Sequence, residues 1–326
     1  MRAVTVYAFS IENFKRSADE VRYLLDLAAD KFHRLVQETA VIRKYNVTVN
    51  VLGDLTLLPV PLRGAMAKAM LLSRREGGQR SADAHRSAAV LNICFAYTAR
   101  EEMASAMRDI QRGVLDGALL PEDVSEELLD RCLYTGLMVD GEPRRSSWGG
   151  GDPDLLVRTS GESRLSDFLL WQSSLASLSF PPCLWPELSL WGFLRIVLEY
   201  QRNGGAARGD RYRSRAVQWE RRREAVDARA ADAHAVDDED ALDEDKDVSS
   251  SSSSSLTGDN LTETRRERGA SAASSSGTSD GDAGERRKGG EEDEARRARV
   301  EKFLAAREAA FVETLHGYMR EAGEVF

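Results

Sequence analysis

Residues 3–16 read AVTVYAFSIENFKR, a short apolar run that ends in a cluster of polar and basic side chains. The run from Ala3 to Ala8 is rich in β-branched and aromatic residues, which favour a buried strand. Ser17 and Glu20 follow with the spacing of a helix capping box. Apolar residues then recur at helical spacing up to Val36. The stretch therefore predicts a strand that leads into a helix.

The same alternation of apolar strands and amphipathic helices continues along the chain. Further strands are predicted at residues 47–52, 91–96 and 154–159. Helices are predicted after Pro61, from Arg100, over residues 121–134, near Ser166 and over residues 187–201. This order indicates an α/β fold with a central, mostly parallel sheet flanked by helices. Ligands of such sheets bind beyond the carboxyl ends of the strands, so residues that follow each strand are candidates for chemistry.

Composition divides the chain into three parts. Residues 1–202 have the pattern of one globular domain. Residues 203–299 contain basic and strongly acidic stretches and a pure serine run at 249–255, and they predict a disordered, low-complexity segment because they bury too little apolar surface. Residues 300–326 regain a helical stripe and predict a C-terminal helix that packs back on the domain.

Charge and cysteine content argue against several classes of protein. The net charge is -9, which disfavours nonspecific nucleic-acid binding. Cys94, Cys132 and Cys183 are scattered, so we expect a reducing compartment without a disulfide framework. The four histidines are isolated from one another, which disfavours a zinc site. No apolar run is long enough to span a bilayer.

Two clusters of hydrogen-bond donors follow predicted strands. Ser10, Asn13 and Arg16 come after the first strand, and Arg158, Arg164 and Ser166 come after the fourth. Hydroxyl, amide and guanidinium groups near a helix start suit a phosphate. Two simpler interpretations stay open at this point. Ser10 and Asn13 could only cap a helix, and the arginines could only pair with Glu162 and Asp167.

Several longer blocks resemble the signature blocks of the cis-prenyltransferases. They are YAFSIENFKR at 7–16, LGD at 52–54, NICFAY at 92–97, DLLVRTSGE at 154–162, RLSDFLLWQ at 164–172 and LWPE at 184–187. Their order and spacing agree over nearly all of residues 3–202, and several blocks in order are more specific than one motif. Within the family, the chain is most similar to the eukaryotic dehydrodolichyl diphosphate synthase subunits.

The resemblance implies a reaction and a role for each candidate residue. Isopentenyl diphosphate would be added in cis to an allylic diphosphate such as farnesyl diphosphate, with Mg²⁺, to make a polyprenyl diphosphate for dolichol synthesis and protein glycosylation. Arg158, Arg164 and Ser166 would hold the diphosphate of isopentenyl diphosphate. Asn13 would position the reacting groups and assist proton removal, supported by Ser10 and Arg16. Asp154 and Glu162 would orient the arginines.

The chain departs from the family at its start. The family block His-x-x-Met-Asp-Gly-Asn-x-Arg, whose aspartate carries the metal, is absent, so we expect no metal ligand from this chain. A misassigned start codon is the favoured explanation, and a truncated, inactive isoform is the alternative. The polypeptide alone is expected to be inactive and poorly stable, because a sheet that lacks an inner strand exposes its edges.

A second departure concerns partners. Ser177 stands where homodimeric bacterial members carry glutamate, which resembles the subunits that work with a Nogo-B-receptor-type partner and its Arg-x-Gly tail. Residues 178–191 would then be partly interface, although buried core is an equal possibility. The resemblance also implies peripheral association with the cytosolic face of the endoplasmic reticulum. Two alternatives to an enzyme are an accessory subunit and an interaction protein that acts through its serine-rich, acidic segment.

Overall fold

The computed structural model describes residues 3–38, 42, 44–77, 89–136, 152–203 and 281–324. The chain divides into two compact units, of which the first comprises Met1–Gly205 with Gly290–Phe326 and the second Ala206–Gly289. Most of the segment predicted to be disordered, residues 204–280, lies outside the described residues, and that prediction stands as it was made. All contacts given below belong to the first unit.

A parallel sheet of three strands forms the centre of this unit. The strands are β1 (Ala3–Ser10), β2 (Val47–Leu52) and β3 (Ala89–Tyr97), in the order β1-β3-β2. Ile93 in β3 is level with Val6 on one side and Val51 on the other. The register of β1 against β3 shifts near Phe9, where the strand approaches its polar end. The predicted α/β class, with a parallel sheet flanked by helices, is confirmed.

Four helices follow these strands along the chain. They are α1 (Ala18–Gln37), α2 (Val60–Gly77), α3 (Ala99–Leu115) and α4 (Glu126–Cys132). The predicted cap of α1 is present, because Glu20 N donates to Ser17 Oγ at 3.4 Å. Thr98 caps α3 in the same way, accepting from Glu101 N at 3.3 Å. Short 3-10 helices span Ile11–Lys15, Leu55–Leu57, Pro121–Asp123, Gln172–Leu175 and Trp185–Glu187.

The turn after β2 requires a glycine. Gly53 has φ +141°, and a Cβ atom there would lie 2.0 Å from the carbonyl oxygen of Phe95. This close approach lets Asp54 N donate to Ala96 O at 3.0 Å. The ends of β2 and β3 are thereby tied together at the carboxyl edge of the sheet.

The chain after residue 152 differs from the sequence prediction. Strands β4 (Leu155–Val157) and β5 (Ser177–Ser179) pair with each other in a separate parallel sheet, and α5 spans Leu190–Asn203. The prediction of a helix that begins near Ser166 is wrong. Ser166 and Asp167 have left-handed φ values of 49° and 63°, which a helix cannot accommodate. Asp167 instead accepts hydrogen bonds from the first turn of α3.

The last helix, α6, spans Gly281–Glu321 and so begins well before residue 300. Its side chains are described from residue 293 onwards. Arg299 and Arg307 reach Asp123 and Asp109 of the domain, at 2.9 Å and 2.7 Å. These long-range ion pairs involve residues outside the apolar stripe on which the sequence prediction relied.

Two hydrophobic clusters lie around these elements. The first joins the sheet, α1 and α2 to the end of α6, where Leu315 and Met319 are buried. The second joins α3 and α4 to the middle of α6 and contains Ile110, Leu128 and Phe303. Among the described residues, no helix combines the length and the apolar character that crossing a bilayer requires.

Candidate functional site

A cavity of about 650 Å³ opens at the carboxyl ends of β1 and β3. Three guanidinium groups and two carboxylates line it, together with hydroxyl, amide and aromatic side chains. The lining residues are Tyr7, Ala8, Phe9, Ser10, Glu12, Asn13, Arg16, Arg100, Arg158, Ser166 and Asp167. Five of the predicted site residues therefore meet here from distant parts of the chain, namely Ser10, Asn13, Arg16, Arg158 and Ser166.

Ser10 and Asn13 form a reciprocal cap at the end of β1. Glu12 N donates to Ser10 Oγ at 3.1 Å, and Ser10 N donates to Asn13 Oδ1 at 2.8 Å. The simpler interpretation, a helix cap, is thus realised. Both residues nevertheless line the cavity. With its oxygen engaged by Ser10 N, the Asn13 side chain can offer its amide nitrogen to an anion.

Arg158 follows β4 and is held by the loop that precedes Gln172. Its backbone N donates to Ser179 O at 2.9 Å, which extends the pairing of β4 with β5. Its Nη1 donates to Ser166 Oγ at 2.6 Å and to the carbonyl oxygen of Arg164. Arg158 and Ser166 therefore form one unit at the cavity wall.

The other three predicted residues lie elsewhere. The guanidinium of Arg164 pairs with Glu162, and neither side chain belongs to the cavity lining. Asp154 precedes β4, whereas Arg158 follows that strand. The Asp154 carboxylate accepts a hydrogen bond from the Tyr200 hydroxyl at 3.5 Å. The predicted pairing of Arg164 with Glu162 is present. Roles in orienting the arginines stay predictions for Glu162 and Asp154.

Two residues of the cavity wall were not predicted as site residues, namely Arg100 and Asp167. Asp167 was named only as a possible partner of Arg158 and Arg164, and the structure pairs it with Arg100 instead. Arg100 Nε donates to Asp167 Oδ2 at 2.7 Å, and Arg100 N donates to Asp167 Oδ1 at 3.2 Å. The hydrogen bond to Asp167 raises the pKa of Arg100 above its ordinary value. The two residues are 67 positions apart, so local spacing carries no signal of this pair.

A buried carboxylate lies behind this wall. Glu102 accepts from Tyr97 Oη at 2.5 Å, from Gln172 Nε2 at 2.9 Å and from Thr135 N at 3.3 Å. Burial raises the pKa of Glu102, and the hydrogen bonds from Tyr97 and Gln172 oppose that rise. The Tyr97 ring packs edge-on against Tyr7 of the cavity lining. The network thus fixes β3, α3 and the segment at Gln172 to one another.

An apolar cavity of about 290 Å³ adjoins the polar one, because Ala8 and Phe9 line both. Side chains of α1 form its other wall, among them Leu24, Ala28 and Phe32. Side chains of α1 thus supply an apolar wall beside the polar cavity. The apolar face of α3 packs elsewhere, with Ile110 in the second hydrophobic cluster.

The described residues form no cage of protein ligands for a divalent cation. No group of three carboxylate, cysteine or histidine side chains comes together within these parts of the chain. The two carboxylates at the polar cavity are engaged, since Glu12 pairs with Lys15 and Asp167 with Arg100. Mg²⁺ is usually held by one or two carboxylates together with substrate phosphates, so the described residues offer no cage that would hold the ion without substrate.

Comparison with known proteins agrees with this geometry. A family model described as putative undecaprenyl diphosphate synthase matches residues 1–206. The dehydrodolichyl diphosphate synthase complex subunit of Mus musculus is 48% identical over 203 residues, which are 62% of this chain and 54% of the relative. The chain therefore spans about half the length of that relative. A tritrans,polycis-undecaprenyl-diphosphate synthase of Thermococcus kodakarensis is 41% identical over 62% of this chain and 68% of its own length.

A solved structure shares the fold. The crystal structure of lavandulyl diphosphate synthase from Lavandula x intermedia, in complex with dimethylallyl diphosphate, is 29% identical, with a TM-score of 0.51 over 61% of this chain and 76% of its own. The resemblance inferred from the sequence blocks is thereby confirmed. Because the family model covers more than half of the chain, this chain belongs to the cis-prenyltransferase family of undecaprenyl and dehydrodolichyl diphosphate synthases.

Proposed function

We propose that this protein transfers prenyl groups, adding isopentenyl diphosphate in cis to an allylic diphosphate to build a polyprenyl diphosphate. One observation carries the proposal. A polar cavity with three guanidinium groups adjoins an apolar cavity, and Ala8 and Phe9 form part of both walls. A substrate with an anionic head and a hydrocarbon tail needs this pair of environments. Farnesyl diphosphate is the allylic substrate that we propose.

The cavity residues suit the departure and binding of diphosphates. When an allylic diphosphate leaves its carbon, negative charge accumulates on oxygens that cationic donors stabilise. Arg158 supplies such donors and is oriented by Ser166 Oγ at 2.6 Å. Arg16 adds a second guanidinium from the turn after β1. Ser10 and Asn13, held rigidly by their reciprocal cap, would place the reacting ends of the two substrates together.

Arg164 enters the proposal as a residue that must reorient. Its guanidinium is exposed and paired with Glu162. An exposed pair of this kind contributes little to stability, so an arriving diphosphate can compete for the guanidinium. We propose Mg²⁺ as the cofactor that neutralises the substrate diphosphates, and proton removal assisted by Asn13.

The proposal is tested by substituting Arg158 in the full-length protein, which is assayed together with its partner subunit. Arg158→Ala should lower kcat/KM for isopentenyl diphosphate by a hundredfold or more, on the order of what one removed charge-stabilising donor costs. Arg112→Ala, an exposed arginine in the last turn of α3, serves as the control and should stay within about twofold. Incorporation of labelled isopentenyl diphosphate measures both. Undiminished incorporation by Arg158→Ala, and by the double variant with Arg164→Ala, would overturn the proposal.

We further propose that a second subunit covers the apolar surface around α5. Seven large apolar side chains are exposed there, namely Leu178, Leu184, Trp185, Leu190, Trp191, Leu194 and Leu198. Isolated exposed apolar residues are common, but a group that includes two tryptophans is typical of an interface. The Mus musculus relative is named as a subunit of a complex. A Nogo-B-receptor-type subunit is the partner that we propose for this surface.

Location follows from the proposed product. A polyprenyl diphosphate is a lipid, so release into a membrane would suit it. We propose peripheral attachment at the cytosolic face of the endoplasmic reticulum, and a role of the product in dolichol synthesis and protein glycosylation. Fractionation of cells, followed by washing of the membranes with salt or carbonate, would test the attachment. Recovery in the soluble fraction at low salt would contradict it.

A further inference from the structure

Asp167 and Arg100 form an ion pair at the wall of the polar cavity, and the chemistry proposed so far does not use it. Both side chains line the cavity beside Arg158 and Ser166. We infer that Asp167 is a positioning residue, which holds Arg100 as a further cation for the diphosphate of the substrate. The inference rests on the proposed function, because it concerns the same cavity.

The geometry leaves most of the Arg100 guanidinium available to a ligand. Asp167 Oδ2 accepts from Arg100 Nε at 2.7 Å, and Oδ1 accepts from the backbone N of the same residue at 3.2 Å. An arginine has five N–H donors, and this pairing occupies the one at Nε. The side chain of Asp167 is 12% exposed, whereas that of Arg100 is 74% exposed. The carboxylate is therefore fixed against the helix while the terminal nitrogens remain accessible.

Three further contacts hold the same loop. Asp167 O accepts from Ala99 N at 2.8 Å, which docks the loop on the first turn of α3. The Phe168 ring stacks on Tyr7, with ring centres 4.7 Å apart and an interplanar angle of 11°. Ser166, which precedes Asp167, accepts from Arg158 Nη1 at 2.6 Å. One loop thus sets the positions of two guanidinium groups, one directly after β4 and one on α3.

The negative charge of Asp167 allows a positioning role to be distinguished from a direct electrostatic effect on the bound diphosphate. A carboxylate at the wall of an anion cavity repels a diphosphate, so its removal alone should tighten binding. If Asp167 acts by holding Arg100, its neutralisation should weaken binding instead. Asp167→Asn keeps an oxygen that can accept from Arg100 N, but it loses the charge that fixes the guanidinium.

A double-mutant cycle on ligand affinity tests the inference. Calorimetry on the full-length protein with its partner subunit would give the Kd of isopentenyl diphosphate for the parent, Asp167→Asn, Arg100→Ala and the double variant. We expect each single variant to raise the Kd about tenfold. The double variant should also raise it about tenfold, because residues that act through one contact are not additive. Arg112→Ala on the same helix is the matched control and should leave the Kd unchanged.

Two results would overturn the inference. One is an Asp167→Asn variant that binds as tightly as the parent or more tightly. The other is a double variant whose Kd rises about a hundredfold, since independent effects multiply.

Thermal melting of each variant establishes that it is folded. Arg158→Ala in the same titration separates this failure from that of the proposed function. Unaltered binding by Arg158→Ala contradicts the proposed function, whereas impaired binding by Arg158→Ala with normal Asp167→Asn contradicts only the positioning role.

Discussion

Helices α3 and α5 are both amphipathic, but their apolar faces have different surroundings. Along α3, Ala106 and Ile110 are buried, and Ile110 is 3% exposed. Along α5, Leu190, Trp191 and Leu198 are exposed, with 79% of Trp191 and 59% of Leu198 accessible. The periodicity of a sequence therefore shows that a helix has an apolar face, but not which part of a complex covers that face.

The difference lies in what packs against each helix. The apolar face of α3 is covered by α4 and by the middle of α6. A Cβ atom added at Gly113 would lie 2.6 Å from Phe303 of α6, so the two helices approach closely at this point. Helix α5 has one buried apolar anchor, Ile196, within the described residues. We conclude that α3 serves the stability of the chain, and we expect α5 to serve association.

The largest expected effect comes from a substitution that would create a cavity beneath α3. Ile110→Ala should lower the free energy of unfolding by about 2–4 kcal/mol, because it removes buried methyl groups and leaves a void. Leu198→Ala, on the exposed face of α5, should change it by less than about 0.5 kcal/mol. Urea unfolding of the two variants gives the comparison directly. Equal losses would mean that the two faces are covered to the same extent.

An intermediate effect concerns the ion pair that fastens α6 to the 3-10 helix Pro121–Asp123. Arg299 donates to both carboxylate oxygens of Asp123, at 3.0 and 2.9 Å, and Asp123 is 1% exposed. Arg299→Ala leaves this buried carboxylate with weaker partners, since Arg296 lies 3.8 Å away. We expect a loss of about 2 kcal/mol at pH 7, below the figure for a fully buried pair because Arg299 is partly exposed. Arg297→Ala, an exposed neighbour on the same helix, should have little effect.

The same pair makes a prediction about pH. The hydrogen bond from Arg299 lowers the pKa of Asp123. A carboxyl group whose pKa is lower in the folded state stabilises the fold at neutral pH, and this contribution is lost as the pH falls through the folded pKa. The difference between the parent and Arg299→Ala should therefore be full at pH 7 and shrink below about pH 4. Unfolding curves across this range measure it, and a difference independent of pH would point to lost packing alone.

Local sequence signals predicted the framework of the domain well. The strand at Ala3–Ser10 and the cap at Ser17 depend on neighbouring residues, and both are present. The polar residues after β1 were found because parallel strands bring their carboxyl ends to one edge. The sequence blocks identified the family for the same reason, since they mark these strand ends.

Contacts between distant residues explain what was missed. Ser166 was assigned to a helix start because serine is a common cap, yet its loop is fixed by hydrogen bonds that Asp167 accepts from α3. Arg100 was missed as a cavity residue because its partner is far away in the sequence. The ion pairs of Arg299 and Arg307 with the domain were missed because they carry no periodic pattern. Each of these features depends on tertiary contacts that residue spacing does not encode.

The smallest expected effect on the chain itself comes from the most exposed tryptophan of α5. Trp191→Ala should change the free energy of unfolding by less than about 0.5 kcal/mol, because the side chain is 79% accessible. If a partner subunit covers this face, the same substitution should raise the Kd of the complex at least about thirtyfold, since buried tryptophans dominate interface energies. Sedimentation velocity on mixtures with the co-expressed partner subunit measures that Kd. Tyr23→Ala, which removes an exposed aromatic ring from α1, is the matched control and should leave the complex intact. If both variants bound the partner like the parent, the apolar face of α5 would need another explanation, and the contrast with α3 would reduce to a difference in exposure.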